Sequence, residues 1–243
     1  MARIPVPWAT NREPAVSETA VGGKALEVDF AELARRTDPP LDALTLAVAA
    51  ELGDVDSTAA REHLDALGAE LAAELGPRAA PAEEAEACAG VLGARHGFVG
   101  DVERYDDPEN SMLDRVLERR TGLPILLSVV YVEVARRAGV DLRGVGLPGH
   151  YVVGHFGAEP PILLDPFAGG GPLPEEPAPA LVRPAGAHET VLRVLNNLVG
   201  SYERRGDLGR EIRAAELRLA LPLDSAIRSH LEAELRALRA RLN

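Results

Sequence analysis

His150 and Asp165 are the two residues whose types and spacing point most directly to chemistry. The sequence predicts that His150 begins a β-strand and that Asp165 ends the next one. A cysteine hydrolase holds its imidazole base in this way, with a carboxylate that orients the ring. We therefore treat His150 as a candidate catalytic base and Asp165 as its candidate orienting group.

The nucleophile of such a site would lie at the N-terminus of the preceding helix, where the helix dipole lowers a thiol pKa. Residues 122–125 occupy that place here, and none of them carries a nucleophile. Ser128, one turn further along, is a candidate nucleophile with two alternatives. Its hydroxyl either faces the pocket and bonds to His150, or bonds to the carbonyl four residues earlier.

Two further side chains near this site need weighing. Tyr131 shares a side of the helix with Ser128, so it is a candidate pocket residue, with a core position as the alternative. Cys88 is the single cysteine and lies in an Ala-rich helix among glutamates. Free cysteines usually pack as small apolar residues, and nearby carboxylates raise a thiol pKa. We therefore expect Cys88 to be buried, with a role as a displaced nucleophile as the alternative.

A metal site through His150, His155 and Asp165 is disfavoured by strand geometry. Side chains alternate along a strand, so positions 150 and 155 face opposite sides. No other group of histidines has ligand spacing. The sequence therefore predicts neither a metal nor a cofactor.

The elements that position these residues follow from hydrophobic spacing and from Pro and Gly. A short helix is predicted after Asn110 and Ser111, which form a capping-box pattern with Asp114. Pro124 opens the next helix, which Gly139 ends. The remaining predicted helices cover about 26–33, 41–52, 57–75 (with Ser57 as N-cap), 82–96, 189–205, 208–221 and 224–242. The predicted strands cover 142–147, 150–156 and 162–165, and they follow one another directly, which favours an antiparallel sheet.

Composition excludes several classes of protein. The formal net charge of −12 argues against binding to nucleic acid or to an anionic membrane, because both need a basic face. The longest apolar stretch is about ten residues, whereas a membrane span needs about 20. Residues 1–23 contain several Pro and Gly residues and no signal-peptide core, so we expect a flexible leader and a cytoplasmic protein.

Five motifs then carry a resemblance. They are Tyr105–Ser111 (YDDPENS), Val116–Arg120 (VLERR), Gly122–Ile125 (GLPI), Pro148–His150 (PGH) and Asp165–Phe167 (DPF). In this order and spacing the chain resembles the bacterial SirB family, which pairs a transglutaminase-like core with tetratricopeptide-type (TPR-like) helices. The tail matches more loosely, through Leu195–Leu198 and a few later positions.

The resemblance implies a mostly helical α+β fold with a papain/transglutaminase-like core and a small antiparallel sheet. An N-terminal helical bundle would precede the core and a C-terminal helical hairpin would follow it. We expect a leader at 1–23, a helical region at 24–100, the core at 101–184 and TPR-like helices at 185–243. The superfamily's Cys–His–Asp triad carries over to His150 and Asp165, whereas its cysteine falls near Pro124 or Ile125 and is missing.

The missing cysteine favours a non-catalytic binding or scaffold module, with a cleft for a peptide or small molecule at His150 and Asp165. Asn110, Ser111, Pro124 and Tyr131 are its candidate pocket residues. The partner would be a protein or peptide of unknown identity. One alternative is a hydrolase or acyl-transferase that uses His150, Asp165 and either Ser128 or water. Two others are a purely structural His–Asp pair and a protein that works only as a subunit.

Overall fold

A computed structural model describes residues 29–242, so the leader predicted for residues 1–23 lies outside the described residues. The α-helices are α1 (Phe30–Ala34), α2 (Leu41–Leu52), α3 (Ser57–Glu74), α4 (Pro81–Cys88), α5 (Leu113–Arg119), α6 (Pro124–Ala138), α7 (Ala187–Arg205), α8 (Leu208–Ala220) and α9 (Ser225–Ala240). The strands are β1 (Val99–Gly100), β2 (Thr121–Gly122), β3 (Leu142–Leu147), β4 (His150–His155) and β5 (Ile162–Leu164). The chain thus has the mostly helical α+β fold that the sequence predicts.

The three-stranded sheet has the order β3-β4-β5 and is antiparallel throughout, as predicted. Leu147 pairs with His150 across the tight turn between β3 and β4, and the positive φ of 70° at Gly149 suits that turn. β1 and β2 form a separate parallel pair, which hydrophobic spacing did not predict because each strand has only two residues.

Helix α6 is the central element of the fold. It begins with Pro124 at its first turn and ends at Gly139, whose φ is 80°, as the sequence predicts. Leu126, Val130 and Val134 on this helix have no exposed surface. The apolar core around them is continuous from α1 to α9. Within residues 29–242, no helix combines the length and the apolar character that a bilayer span requires.

Two helix starts differ from the predicted ones. Helix α3 is capped by Asp56, whose side chain accepts a hydrogen bond from the Ala59 amide, and not by Ser57. The capping box predicted at Ser111 is also wrong, because Met112 is the N-cap of α5. Residues 108–111 instead form a 3-10 turn. That turn places Ser111 inside the protein, where its hydroxyl cannot cap α5.

Three helices follow the sheet and the long 169–184 segment. α7 and α8 are joined at Gly206 and Asp207 and pack against each other, and α9 packs on α8. α7 also contacts α2, α6 and the turn at 108–111. Through these contacts α7 brings its own side chains to the same face of the molecule as the N-terminus of α6.

Candidate functional site

His150 and Asp165 lie side by side in the structure. His150 begins β4, and Asp165 comes directly after β5, which pairs with β4. The His150 Nε2 and Asp165 Oδ2 atoms are 3.0 Å apart. The His150 side chain is 30% exposed, whereas that of Asp165 is only 8% exposed. The pair therefore has a buried carboxylate that holds a ring at the protein surface.

The turn that follows Asp165 fixes its carboxylate. The other oxygen, Oδ1, accepts a hydrogen bond from the Phe167 amide at 3.0 Å. The Asp165 carbonyl accepts one from the Gly170 amide. The Phe167 ring meets His150 edge-on, with 6.4 Å between the ring centroids. A Cβ atom at Gly100 would lie 2.3 Å from this ring, so the glycine makes room for Phe167 behind His150.

The N-terminus of α6 faces the same pocket. Pro124 and Ile125 line a cavity of about 170 Å³ together with His150. The other lining residues are Tyr105, Gly149, Tyr151, Arg193 and Asn197. A nucleophile on this helix would sit at Pro124 or Ile125, but one is an imino acid and the other an aliphatic residue. The His150 ring thus faces an apolar helix start, with Nδ1 free of any hydrogen-bond partner among residues 29–242.

Ser128 lies away from the His–Asp pair. Its side chain is completely buried, and its hydroxyl donates a hydrogen bond to the Tyr151 carbonyl at 3.4 Å. Ser128 also lines a separate cavity of about 40 Å³, on the side of Thr190. Neither of the two arrangements considered from the sequence is present. The structure brings His150 and Asp165 together and leaves Ser128 apart from them.

Tyr131 and Cys88 are buried beneath the turn that follows Asp165. The Tyr131 hydroxyl has no hydrogen-bond partner among the described residues, and it lies against Gly93 and Gly170. Burial raises the Tyr131 pKa, and the charges of Cys88 and Asp165 raise it further. Burial, with help from Glu84, also raises the pKa of the Cys88 thiol to about 12. Neither group is in the ionisation state that nucleophilic attack requires.

Asn110 and Ser111 lie behind the helix start. The Asn110 carbonyl accepts a hydrogen bond from the Leu123 amide at 3.0 Å, and its side-chain amide donates one to the Arg104 carbonyl at 2.7 Å. The Asn110 Oδ1 and Ser111 Oγ atoms are buried without partners in the described part of the chain. Asn110 thus connects the 108–111 turn to the start of α6.

The second histidine of β4 has a different partner. His155 is buried, and its Nε2 lies 2.6 Å from the Glu84 carboxylate on α4. The Gly157 amide donates a hydrogen bond to His155 Nδ1. The two histidines of β4 therefore contact different carboxylates on different sides of the strand. Among residues 29–242, no cluster of three or more His, Cys, Asp or Glu side chains could hold a metal ion.

Sequence reasoning missed two residues of this site, Arg193 and Asn197. Both lie on α7, four positions apart, and line the cavity beside His150. Their spacing puts them on one face of the helix. In the sequence, the motif at 195–198 is the one indication that this helix contributes to the site, because it places two asparagines between apolar positions. Nothing in the local sequence says that this helix face meets β4.

Parts of this chain are similar to known proteins. The family model described as the transglutaminase-like superfamily matches residues 58–198. A UPF0162 protein of Xylella fastidiosa is 38% identical over 143 residues, which are 51% of this chain and 51% of that protein. A UPF0162 protein of Pseudomonas aeruginosa is 35% identical over 132 residues, 54% of this chain and 48% of that protein.

The similarity extends to a eukaryotic protein. Mouse F-box only protein 21 is 33% identical over 120 residues, 43% of this chain and 19% of that protein. The chain spans about half the length of the Xylella and Pseudomonas relatives. No solved structure gives a significant match. Because the family model matches more than half of the residues, including His150 and Asp165, the chain belongs to the transglutaminase-like superfamily.

Proposed function

We propose that this chain is a non-catalytic member of its superfamily, a binding or scaffold module whose cleft at His150 and Asp165 holds a peptide segment or a small molecule. The single observation that carries the proposal is the start of α6. The site retains its histidine and its carboxylate, but Pro124 and Ile125 occupy the place of the nucleophile. Loss of the nucleophile removes most of the rate enhancement of such a site and leaves its shape intact.

The burial of the other candidate nucleophiles supports the same proposal. The Ser128 hydroxyl is directed to the Tyr151 carbonyl, and the Cys88 thiol is fully buried with a pKa raised to about 12. Each would need a rearrangement of the core to reach His150.

The second candidate function is a hydrolase or acyl-transferase in which His150 acts as base and Asp165 orients it. The observation that favours it is the 3.0 Å contact between the two, together with the partial exposure of the ring. With Ser128 buried, water is the nucleophile that this alternative requires. Turnover that disappears in His150→Ala would support it.

We further infer the finer assignments that the sequence motifs suggest. The chain would be a SirB-type protein of the bacterial cytoplasm, with its transglutaminase-like core at 101–184. The helices before the core, at 24–100, and the TPR-like helices at 185–243 would add docking surface for a protein partner. The packing of α7, α8 and α9 in sequence order is compatible with this role.

A fragment screen by NMR tests the binding function. We expect small molecules or short peptides from the screen to shift the amide signals of His150, Ile125 and Asn197. Asn197→Trp should abolish these shifts by filling the cavity. Arg236→Trp, at an exposed position on α9, is the matched control and should keep them. Ligands that bind equally well to wild type and Asn197→Trp would contradict the proposal.

A further inference from the structure

The cavity beside His150 differs in charge from the rest of this acidic protein. The chain has a net charge of −12, yet none of the described residues that line the cavity is an aspartate or a glutamate. Its polar side chains are those of His150, Arg193 and Asn197, with two tyrosines. The neighbouring carboxylate, Asp165, is bonded to His150 and does not line the cavity. A cavity whose lining presents donors and a cation has the composition of a site for a negatively charged group.

Arg193 is the source of the positive charge. Its Nη2 atom donates hydrogen bonds to the carbonyls of Leu147 and His150, at 3.0 and 3.1 Å. Its guanidinium also stacks over the Tyr151 ring, 5.2 Å from the centroid. No carboxylate among residues 29–242 lies within ion-pair distance of it. The guanidinium is therefore held in place by neutral groups, and its charge is not neutralised.

A second, larger cavity of about 550 Å³ provides the contrast. It lies between α2, α5 and α7, and three arginines line it. Each of the three has a carboxylate within 4.0 Å: Arg115 with Asp114, Arg205 with Asp107, and Arg210 with Asp207. The uncompensated arginine at the His150 cavity is thus not a general property of the cavities in this protein.

Other donors converge on the same space. Helix α6 has no side-chain cap, and the Ile125 amide in its first turn has no acceptor among the described residues. The positive end of the helix dipole points there too. The Asn197 amide has no hydrogen-bond partner within residues 29–242. The His150 ring donates to Asp165 through Nε2, so Nδ1 of the neutral ring is an acceptor, and the donors for an anion here are Arg193, the Ile125 amide and the Asn197 amide.

The size of the His150 cavity and the residues beside it limit which ligands it can bind. A cavity of about 170 Å³ is smaller than the roughly 300–1,000 Å³ of a typical small-molecule site, so it admits one terminal group. Beside it lies an exposed aromatic rim formed by Tyr105, which lines the cavity, is 48% exposed and meets the Phe167 ring edge-on. An extended peptide could place its last side chains on this rim while its end enters the cavity.

We propose that the His150 cavity binds the C-terminal carboxylate of a peptide between Arg193 and the N-terminus of α6. This inference rests on the proposed binding function and names the chemistry of its ligand. The carboxylate would accept hydrogen bonds from the guanidinium and from the Ile125 amide. The apolar side chain next to it would contact the Tyr105 ring.

The test compares two matched probes on the wild-type chain, N-acetyl-Val-Leu with a free carboxyl group and the same dipeptide as its C-terminal amide. Two further arms, N-acetyl-Val-Glu amide and inorganic phosphate, distinguish an acidic side chain and a free anion. We expect the free acid to bind at least about tenfold more tightly than its amide, as the loss of a charge-assisted hydrogen bond implies. The free acid should also bind more tightly than N-acetyl-Val-Glu amide and more tightly than inorganic phosphate. Binding would be followed through the NMR signals of His150, Ile125 and Arg193.

Variants locate the effect. Arg193→Gln should remove the preference for the acid, Arg193→Lys should retain part of it, and Arg236→Gln on α9 should leave it unchanged. Thermal unfolding of each variant shows whether it is folded. If Arg193→Gln does not fold, the comparison of acid and amide on the wild-type chain still tests the proposal. Equal binding of acid and amide at these residues would overturn the ligand class and leave the binding function standing. No binding of either probe would also overturn the carboxylate proposal, and the fragment screen would then decide the binding function separately.

Discussion

Among single residues, the His150–Asp165 pair joins the start of one strand to the end of the next. Asp165 bonds to the ring through one oxygen and to the Phe167 amide through the other. The carboxylate therefore connects β4 to the turn that follows β5. This double contact gives the pair a structural role whether or not the cleft binds a ligand.

Asp165→Ala should lower the free energy of unfolding by about 1–3 kcal/mol, because it leaves the Phe167 amide and the His150 ring without their acceptor. Asp165→Asn preserves an acceptor of the same size and should lose less. Urea unfolding at neutral pH, followed by circular dichroism, measures both. An alanine variant as stable as the wild type would show that the contact is not structural.

The orientation of single side chains was the hardest feature to predict from the sequence. The sequence predicts the helix that carries Ser128 and Tyr131, but the environments of the two side chains depend on how α6 is rotated against the sheet. Arg193 and Asn197 reach the site from a helix more than 40 positions further along the chain. No local pattern reports such a contact, because the packing of α7 against β4 decides it.

At the scale of elements, the sequence was more informative. Pro124 and Gly139 mark both ends of α6, and the Pro148–Gly149 turn marks the hairpin of β3 and β4. The predicted start of α5 was wrong because Asn110 and Ser111 belong to a 3-10 turn. The same capping pattern occurs before an α-helix and within a 3-10 turn, so the sequence alone does not distinguish the two.

The N-cap of α8 provides a test at this scale. Asp207 Oδ1 accepts a hydrogen bond from the Arg210 amide at 3.1 Å, and this bond, with the nearby guanidinium, lowers the Asp207 pKa. A lowered pKa contributes stability above the ordinary aspartate range that is lost as the pH falls through the folded-state pKa. Asp207→Ala should cost about 1 kcal/mol at pH 7.

The same measurement on Asp207→Asn separates charge from capping. Asparagine keeps the cap, so at pH 7 Asp207→Asn should lose less unfolding free energy than Asp207→Ala. The loss in Asp207→Asn, relative to wild type, should shrink as the pH falls below about 4. Urea unfolding at pH 7 and pH 3 gives both values. A deficit of Asp207→Asn that grows on acidification would contradict the assignment.

At the scale of the whole molecule, a buried ion network joins the N-terminal helices to the core. Arg137 on α6 contacts Asp42 on α2 at 2.5 Å, Asp65 on α3 at 2.5 Å and Glu133 on its own helix at 2.6 Å. The side chains of Asp42 and Glu133 are 8% and 2% exposed. Arg136 also contacts Glu133, at 2.9 Å, but Arg137 is the arginine that joins α6 to both α2 and α3.

Arg137→Met should destabilise the chain by up to about 3–5 kcal/mol, because it removes the cation that contacts buried Asp42 at 2.5 Å and one of the two arginines that contact buried Glu133. Arg143→Met on β3 is the control, because Arg143 pairs with Asp141 outside this network. The Arg143 and Asp141 side chains are 58% and 49% exposed, and exposed ion pairs contribute only about 0–1 kcal/mol. Equal losses in the two variants, measured by urea unfolding, would rule out the network as a major contributor to stability.

Intact-mass spectrometry after treatment with iodoacetamide and with a fluorophosphonate would decide whether the cleft binds without reacting. Wild type and His150→Ala would be compared, with a urea-unfolded sample as the control for Cys88. The proposed binding function predicts no fast adduct in the folded protein, slow labelling that does not differ between wild type and His150→Ala, and rapid alkylation of Cys88 only after unfolding. A single fast adduct on Ser128 or Cys88 that disappears in His150→Ala would contradict it and establish a working nucleophile–histidine pair.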